Sequence, residues 1–152
     1  MNESVIQKII EKGYKISFAE SATGGALASE FTKVPGASNV FKGSFITYSD
    51  EYKIKYLSVS VDTIKRYGVV SSNVALEMVR GLKKETNADI LISVTGNAGP
   101  SKGDLNEPVG RVYIGMIFFD KEEVFELNLN GNRKEVIEAT VDFVYSTLDS
   151  LL

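Results

Sequence analysis

The sequence predicts an α/β fold: a single three-layer α/β/α domain over residues 1–152, with a mixed, mainly parallel sheet. Segments with helical periodicity alternate with short apolar segments early in the chain, as in parallel α/β proteins. The nearly continuous apolar run Asp89–Thr95 is typical of a central strand that is buried on both faces. Two β-rich segments then follow each other late in the chain, which indicates a hairpin.

The first half of the chain predicts alternating helices and strands. Apolar residues recur at helical spacing from the N-terminus until Gly13, and Gly24 and Gly25 open the second helix. The predicted elements are a helix over residues 3–12, a strand at Lys15–Ala19, a helix at Ala26–Thr32, a strand at Phe45–Tyr48, a helix that Ser49 or Asp50 caps, and a helix at Val61–Tyr67.

The second half predicts a helix, a central strand, a hairpin and a final helix. Residues 96–108 form a long connection with two prolines, and loops of this length are usually functional or mobile. The predicted elements are a helix of about three turns that Ser71 and Ser72 precede, a strand at Asp89–Thr95, strands at Arg111–Phe119 and Glu123–Leu129 around Asp120-Lys121, and a helix from Asn132 on which Val136, Ala139, Thr140, Phe143, Val144, Thr147 and Leu151 share one face.

Composition restricts the chemistry that is available. The chain contains no His and no Cys, which excludes Ser-His-Asp and Cys-His catalysis. The same absence removes the usual zinc ligands and leaves only an all-oxygen metal site open. A general base must therefore be Asp, Glu, Lys or Tyr.

Charge and hydropathy restrict the partners. A net charge of −3 argues against a nucleic-acid binder that relies on a broad basic face, although it allows a small pocket for one phosphate. No run of 18 apolar residues is present, so we expect no membrane span. The amphipathic N-terminus lacks the apolar core of a signal peptide, so we expect a cytoplasmic protein. Base rates favour a homodimer.

Small and basic residues follow the first two predicted strands. Ser21, Thr23, Gly24 and Gly25 precede a helix whose free N–H groups can attract an anion or stabilise an oxyanion, although an ordinary helix cap is an alternative. Lys53 follows the second strand. If its side chain points back into the cleft at the strand ends, it lies beside Ser21; a solvated lysine on a charged helix is the alternative.

Two later segments complete the set of candidates. Gly96, Asn97 and Gly99 follow the central strand, where the glycines allow close backbone approach or simply form a turn. Arg133 lies in the first turn of the last helix and opposes the helix dipole, so an anionic partner would explain it. An exposed arginine without a ligand is the alternative.

Taken together, these segments resemble the C-terminal domain family of the competence/damage-inducible protein CinA, which includes the nicotinamide-mononucleotide deamidases. The resemblance covers nearly the whole chain, with the motifs in the same order and spacing. The matching motifs are AESATGG (19–25), PGAS (35–38), FKGSFITYSDEYK (41–53), GVVS (68–71), GNAGP (96–100), PVGRVYIG (108–115) and GNR (131–133).

The resemblance implies three α/β/α layers and hydrolysis of nicotinamide mononucleotide to nicotinate mononucleotide and ammonia. It also implies that Ser21 is the nucleophile and Lys53 its partner, and it places Thr23, Tyr48 and Arg133 on motif positions of the site. We expect a neutral Lys53 to act as the base, Tyr48 or Thr23 to relay or orient, and Arg133 to meet the substrate phosphate. No metal or organic cofactor is required.

The oxyanion would be held by backbone N–H groups of Gly24-Gly25 or of Gly96, Asn97 and Gly99. Two departures from the family pattern, Glu107 and Ile137, remove positive charge from a region expected to meet a phosphate. They favour an alternative function, a nucleotide-binding module of the same fold with weak or no amidase activity. A different amidohydrolase or a phosphate-ester hydrolase is a further alternative.

Two other positions also depart from the family pattern. Ala22 stands where family members often have cysteine, and Asn97 where they often have isoleucine. The cysteine is not the nucleophile in this interpretation, so its loss is compatible with the same chemistry.

Overall fold

The computed structural model of the protein describes residues 2–103 and 105–152. One five-stranded sheet lies between two layers of helices, which confirms the predicted α/β fold. The elements in chain order are α1 (Asn2–Lys12), β1 (Ile16–Glu20), α2 (Ala26–Thr32), β2 (Phe41–Ile46), α3 (Asp50–Leu57), α4 (Val61–Tyr67), α5 (Ser72–Thr86), β3 (Ile90–Gly96), β4 (Arg111–Phe118), β5 (Lys121–Asn128) and α6 (Arg133–Leu151).

The sheet is mixed, with strand order β2-β1-β3-β4-β5. β1 pairs in parallel with β2 and β3, whereas β4 runs antiparallel to both β3 and β5. Only β4 therefore opposes the common strand direction among the described strands. Because β2, β1 and β3 are neighbours and parallel, the segments that follow them meet at one edge of the sheet, where α/β proteins bind ligands.

Each face of the sheet carries its own apolar core. The first core packs α1, α2 and α6 on one face, and the second packs α3, α4 and α5 on the other. Alternate residues of β1 contribute to different cores, Phe18 to the first and Ala19 to the second, as the two-residue period of a strand requires. The side chains at the end of β1 must then also point to opposite faces.

Hydroxyl and amide side chains begin three of the helices, as the sequence predicts. Ser49 Oγ accepts from Tyr52 N at the start of α3, and Ser71 Oγ accepts from the backbone N–H of Val74 at the start of α5. Asn132 forms a capping box with Glu135 at the start of α6. None of the helices in the described part of the chain is long and apolar enough to cross a bilayer.

The position of β2, the β4–β5 turn and the length of α5 differ most from the prediction, and the bounds of the other strands differ by one or two residues. β2 spans Phe41–Ile46 rather than Phe45–Tyr48, because its first half contains Lys42 and Gly43, which have low strand propensity and stand at a sheet edge. The β4–β5 turn is formed by residues 119–120, one position before the predicted pair. α5 has 15 residues, about one turn more than predicted.

The predicted buried face of α6 is also partly wrong. Leu151 is 43% exposed, whereas Tyr145 and Leu148 are completely buried. The Tyr145 hydroxyl donates to Leu27 O at 2.7 Å, which satisfies the polar group inside the first core. A hydropathy pattern undervalues a tyrosine at such a position, and this shifts the deduced face.

Candidate active site

A cavity of about 220 Å³ opens at the edge of the sheet where β1, β2 and β3 end. Its walls come from the segments after these three strands, from residues 69–70 before α5, and from Arg133 at the start of α6. A second cavity of about 370 Å³ lies between α2 and α6, and neither Ser21 nor Lys53 lines it. The chemistry-bearing residues predicted from the sequence therefore concentrate at the strand ends.

Ser21 is fixed by the sheet and by a tight turn. Its backbone N–H donates to Val94 O at 3.1 Å, which continues the β1–β3 pairing by one residue. Its carbonyl accepts from Gly24 N at 2.9 Å, and Gly24 and Gly25 have φ values of 56° and 104°. Glycine tolerates this left-handed backbone, so the chain can reverse direction directly after the serine.

Lys53 reaches Ser21 from the first turn of α3. Helical side chains lean toward the helix N-terminus, so Lys53 points back over the Ser49 cap toward the strand ends. Its side chain is 1% exposed. The Lys53 Nζ donates to Ser21 Oγ and to Thr47 O, both at 2.9 Å. The structure thus brings together the two groups predicted to form the catalytic pair.

Both oxygens that contact Lys53 belong to extensions of the sheet. Thr47 N donates to Glu20 O at 2.9 Å, just as Ser21 N donates to Val94 O on the other side of β1. The hydroxyl and the carbonyl are therefore held by backbone pairing rather than by a free loop. The position of the amine is set by a rigid frame.

Burial lowers the pKa of Lys53 from 10.5 to about 8, because desolvation disfavours the ammonium form. Asp50, which lines the same cavity, acts in the opposite direction and raises this pKa. No ion pair within the described residues includes Lys53. With a pKa near 8, about one lysine in ten is a neutral amine at pH 7.

Arg133 and Tyr48 form the mouth of the cavity. The Arg133 Nη1 donates to Gly99 O and its Nη2 donates to the Tyr48 hydroxyl, both at 2.6 Å. Arg133 is the first residue of α6 and directly follows the Asn132 cap. Tyr48 is 59% exposed, so its hydroxyl lies at the rim with Arg133.

The loop after β3 is shaped by Asn97. Its Oδ1 accepts from Gly99 N, and its Nδ2 donates to the carbonyl oxygens of Ser101 and Glu107. A Cβ at Gly96 would come within 2.8 Å of a valine side chain on β4, so this position requires glycine. Gly96 and Asn97 line the cavity, but the polar atoms of the Asn97 side chain hold the loop together.

Four of the sequence-predicted site residues do not line the cavity: Thr23, Gly24, Gly25 and Gly99. The Thr23 hydroxyl is buried and donates to Glu20 Oε1 at 2.8 Å. It contacts this carboxylate rather than Ser21 or Lys53, so no contact supports a relay role for it. Gly99 contacts a residue of the cavity mouth through its carbonyl oxygen, which accepts a hydrogen bond from Arg133.

The two charge-removing departures also lie outside the cavity. The Glu107 carboxylate folds onto its own loop, where Oε2 accepts from Leu105 N at 3.1 Å. Ile137 lines the cavity between α2 and α6. Neither side chain lines the space around Ser21.

One buried polar residue was missed by sequence reasoning, namely Glu20, which is completely buried at the end of β1. The only signal is an acidic residue that closes an otherwise apolar strand immediately before a glycine turn. Its carboxylate accepts four hydrogen bonds, from Thr23 Oγ1 at 2.8 Å, Leu27 N at 2.9 Å, Ser44 Oγ at 3.0 Å and Ala28 N at 3.1 Å.

Within residues 2–103 and 105–152, no group of three or more Asp or Glu side chains is placed to hold a metal ion. The arrangement instead offers a nucleophile with an adjacent amine of lowered pKa, and a cation at the cavity mouth. These are the parts required for acyl transfer through a covalent intermediate.

Comparison with known proteins identifies relatives over the full length of the chain. The family model of the CinA C-terminal domain matches residues 1–152. A CinA-like protein of Dictyoglomus turgidum is 42% identical over 151 residues, which are 99% of this chain and 35% of that protein. The chain spans about a third of the length of the curated relatives it matches.

Solved structures show the same fold. A competence-damaged protein (CinA) superfamily protein from Escherichia coli matches with a TM-score of 0.94 and 31% identity, covering 100% of this chain and 91% of that one. A competence/damage inducible protein from Agrobacterium tumefaciens matches with a TM-score of 0.92 and 32% identity, covering 99% and 94%.

Proposed function

Since the chain belongs to the CinA C-terminal domain family, we propose that it hydrolyses the carboxamide of nicotinamide mononucleotide, with Ser21 as nucleophile and Lys53 as base. The observation that carries this proposal is the 2.9 Å contact between Lys53 Nζ and Ser21 Oγ, made by a lysine that is 1% exposed. The chain has no histidine that could compete for the role of base.

The first half of the reaction transfers the acyl group to the enzyme. Neutral Lys53 accepts the proton of the Ser21 hydroxyl as Oγ bonds to the carboxamide carbon. The resulting tetrahedral intermediate collapses with cleavage of the C–N bond, and Lys53 returns the proton to the leaving nitrogen. Ammonia departs and leaves a nicotinoyl ester on Ser21, with Lys53 neutral again.

The second half hydrolyses the ester. Lys53 takes a proton from a water molecule, whose oxygen bonds to the ester carbon. The C–Oγ bond then breaks, Ser21 regains a proton from Lys53, and nicotinate mononucleotide is released. The balance is one carboxamide and one water consumed, with one carboxylate and one ammonium ion formed at neutral pH.

Substrate binding uses the mouth of the cavity. The cavity of about 220 Å³ lies below the roughly 300–1,000 Å³ of typical ligand sites, so we expect it to take the nicotinamide ring and leave the ribose phosphate at the rim. Arg133 lies at that rim with Tyr48 and can pair with the phosphate. The cationic pyridinium would lower the pKa of Lys53 further, because a neighbouring positive charge disfavours the ammonium.

The test measures ammonia release from nicotinamide mononucleotide by the wild type and by Ser21→Ala and Lys53→Ala variants. Loss of a positioned base or nucleophile should reduce kcat by about 10²–10⁴-fold. Ser38→Ala and Lys55→Ala are matched controls, since both residues are exposed and neither lines the cavity. The controls should retain the wild-type rate.

The covalent intermediate is tested separately. Hydroxylamine added during turnover should divert the nicotinoyl ester to a hydroxamate, and mass spectrometry of quenched enzyme should place the acyl group on Ser21. Wild-type rates in both active-site variants would overturn the proposal. Tight binding of the nucleotide without ammonia release would instead indicate a nucleotide-binding module.

A further inference from the structure

We propose that Glu20 is a positioning residue that fixes the turn carrying Ser21, so that the serine hydroxyl stays in line with Lys53. The proposal rests on the function proposed above. Glu20 is completely buried, and both of its carboxylate oxygens accept two hydrogen bonds each. A carboxylate so fully engaged inside a core has a defined structural task.

The four donors come from three different parts of the chain. Leu27 N and Ala28 N belong to the first turn of α2, the Thr23 hydroxyl belongs to the Ser21 turn, and the Ser44 hydroxyl belongs to β2. Gly25, which precedes α2, has no side chain to cap this helix. Glu20 supplies the missing cap from a distance and joins it to the sheet.

The turn is held at both ends by the same carboxylate. Glu20 ends β1 on one side of residues 21–25, and its oxygens bind the N–H groups of residues 27 and 28 on the other. The Thr23 hydroxyl attaches the middle of the turn to the same group. Because the glycines give this turn a flexible backbone, the anchoring by Glu20 restricts the part of the turn that follows Ser21, in addition to the sheet pairing that holds the Ser21 backbone.

Glu20 acts without touching the reacting atoms. Its side chain points toward α2, whereas Ser21 points to the opposite face and contacts Lys53 of α3. An effect of Glu20 on the position of Ser21 therefore passes through the backbone that joins these two neighbouring residues. Catalysis is sensitive to such displacements, since an error of about 1 Å in a reacting group can lower the rate about 10²-fold.

Replacement of Glu20 by glutamine is a nearly isosteric test. The amide oxygen can still accept from two donors, but the amide NH₂ faces donors in place of the second carboxylate oxygen. If this NH₂ takes the place of Oε2, the Ala28 N–H cannot reverse its role and loses its acceptor, while the Ser44 hydroxyl can rotate to accept. The variant therefore loosens the helix start while preserving the volume of the side chain.

Glu77 provides a matched control elsewhere in the molecule. Its Oε1 accepts from Ser60 N, the cap of α4, and its Oε2 accepts from the Thr63 hydroxyl in the first turn of that helix. Glu77 thus binds a helix start as Glu20 does, and neither carboxylate lines the cavity, but the helix that Glu77 binds does not adjoin the Ser21 turn. Glu77→Gln should lower thermal stability as Glu20→Gln does and leave the chemistry unchanged.

The first experiment compares kcat and KM for nicotinamide mononucleotide in the wild type, Glu20→Gln and Glu77→Gln, per folded molecule. We expect Glu20→Gln to lower kcat by about 10–100-fold with KM within about twofold, because the substrate contacts at the mouth are intact. Glu77→Gln should retain the wild-type kcat. Equal kcat in the three proteins would overturn the proposal.

The second experiment needs no substrate, so it remains decisive if the proposed reaction is wrong. The pH titration of the Lys53 ε-methylene NMR signal, assigned with Lys53→Arg, reports the contact between Lys53 and Ser21. Glu20→Gln and Ser44→Ala should both move this titration in the same direction as Ser21→Ala, and Glu77→Gln should not. Ser44→Ala retains the Glu20 carboxylate, so a shift in that variant cannot come from the loss of a charge near Lys53. An unchanged Lys53 titration in Glu20→Gln would refute the positioning role.

If Glu20→Gln does not fold, Ser44→Ala replaces it. This variant removes one of the four donors and leaves the carboxylate with its other three bonds. We expect the same changes in kcat and in the Lys53 titration, in the same direction and smaller. A folded Ser44→Ala variant with wild-type values in both measurements would count against the proposal.

Discussion

Two ionisable side chains, Glu20 and Lys53, are buried on opposite faces of the sheet where β1 ends, and they differ in the number and kind of their hydrogen-bond partners. Glu20 accepts four hydrogen bonds, two of them from backbone N–H groups at a helix start. Lys53 has only two partners, a hydroxyl and a carbonyl oxygen, and no carboxylate pairs with it in the described chain. Both oxygens of the Glu20 carboxylate are therefore engaged, whereas burial without a carboxylate partner disfavours the ammonium form of Lys53 and lowers its pKa.

The difference explains why one group is structural and the other reactive. A buried carboxylate whose lone pairs are all engaged holds its neighbours in place. A buried amine with incomplete compensation loses its proton more readily, so it becomes available for proton transfer near neutral pH.

The largest effect on activity is expected for Lys53→Arg. Arginine retains the positive charge but does not deprotonate in proteins, so it cannot act as the base. We expect a loss of kcat for nicotinamide mononucleotide of about 10³-fold, comparable to that of Lys53→Ala. Steady-state ammonia release measures it, and substantial activity in the arginine variant would show that a fixed cation is sufficient.

The largest effect on stability is expected for Glu20→Leu. The change leaves two helix N–H groups and two hydroxyls without their acceptor in a buried site, which should lower the free energy of unfolding by about 3–5 kcal/mol. Glu123→Leu, at an exposed position of β5, serves as the control and should change it by less than about 0.5 kcal/mol. Urea unfolding distinguishes the two, and equal stabilities would refute the contrast.

The pH dependence of stability sharpens the contrast. The pKa of Lys53 is about 8 when folded and near 10.5 when unfolded, so between these values the unfolded chain binds more protons and stability rises with pH. The unfolding free energy of the wild type relative to Lys53→Met should therefore increase from pH 8 to pH 10.5, by on the order of 3 kcal/mol. A flat difference across urea titrations in this range would contradict a lowered pKa.

The smallest effect concerns the one neighbour that opposes deprotonation. Asp50 raises the pKa of Lys53, so Asp50→Asn should lower that pKa further and move the acid limb of the kcat/KM profile to lower pH. We expect a shift of well under one pH unit, because Asp50 is exposed and its field is screened. Glu51→Gln is the control, and an identical shift there would assign the effect to general surface charge.

The sequence predicted much of the fold because the relevant signals are local. The helices at 26–32 and 61–67 have the predicted bounds, and Ser49 and Ser71 cap the helices that they precede. These features depend on a few neighbouring residues. The buried face of α6 was misjudged, because the environment of Tyr145 depends on a carbonyl that is remote in the chain.

The candidate site was predicted in part for the same reason. Ser21 and Lys53 follow neighbouring strands, so the general rule for α/β sheets made their meeting one of two open alternatives, and the family resemblance favoured it. The partner of the Thr23 hydroxyl could not be predicted, because the sequence does not show that Glu20 turns inward. Asn97 likewise holds its own loop, a role that depends on carbonyl oxygens up to ten residues away.

Periodicity, capping residues and the absence of histidine and cysteine can be read along the chain. These local signals were sufficient to predict the class of fold, the order of the elements and the small set of side chains able to do chemistry. The tertiary structure alone decided which of those side chains meet, which are exposed and which charge is compensated. Solvation and hydrogen bonding depend on groups from distant segments, and these come together only when the sheet and its two helical layers are assembled.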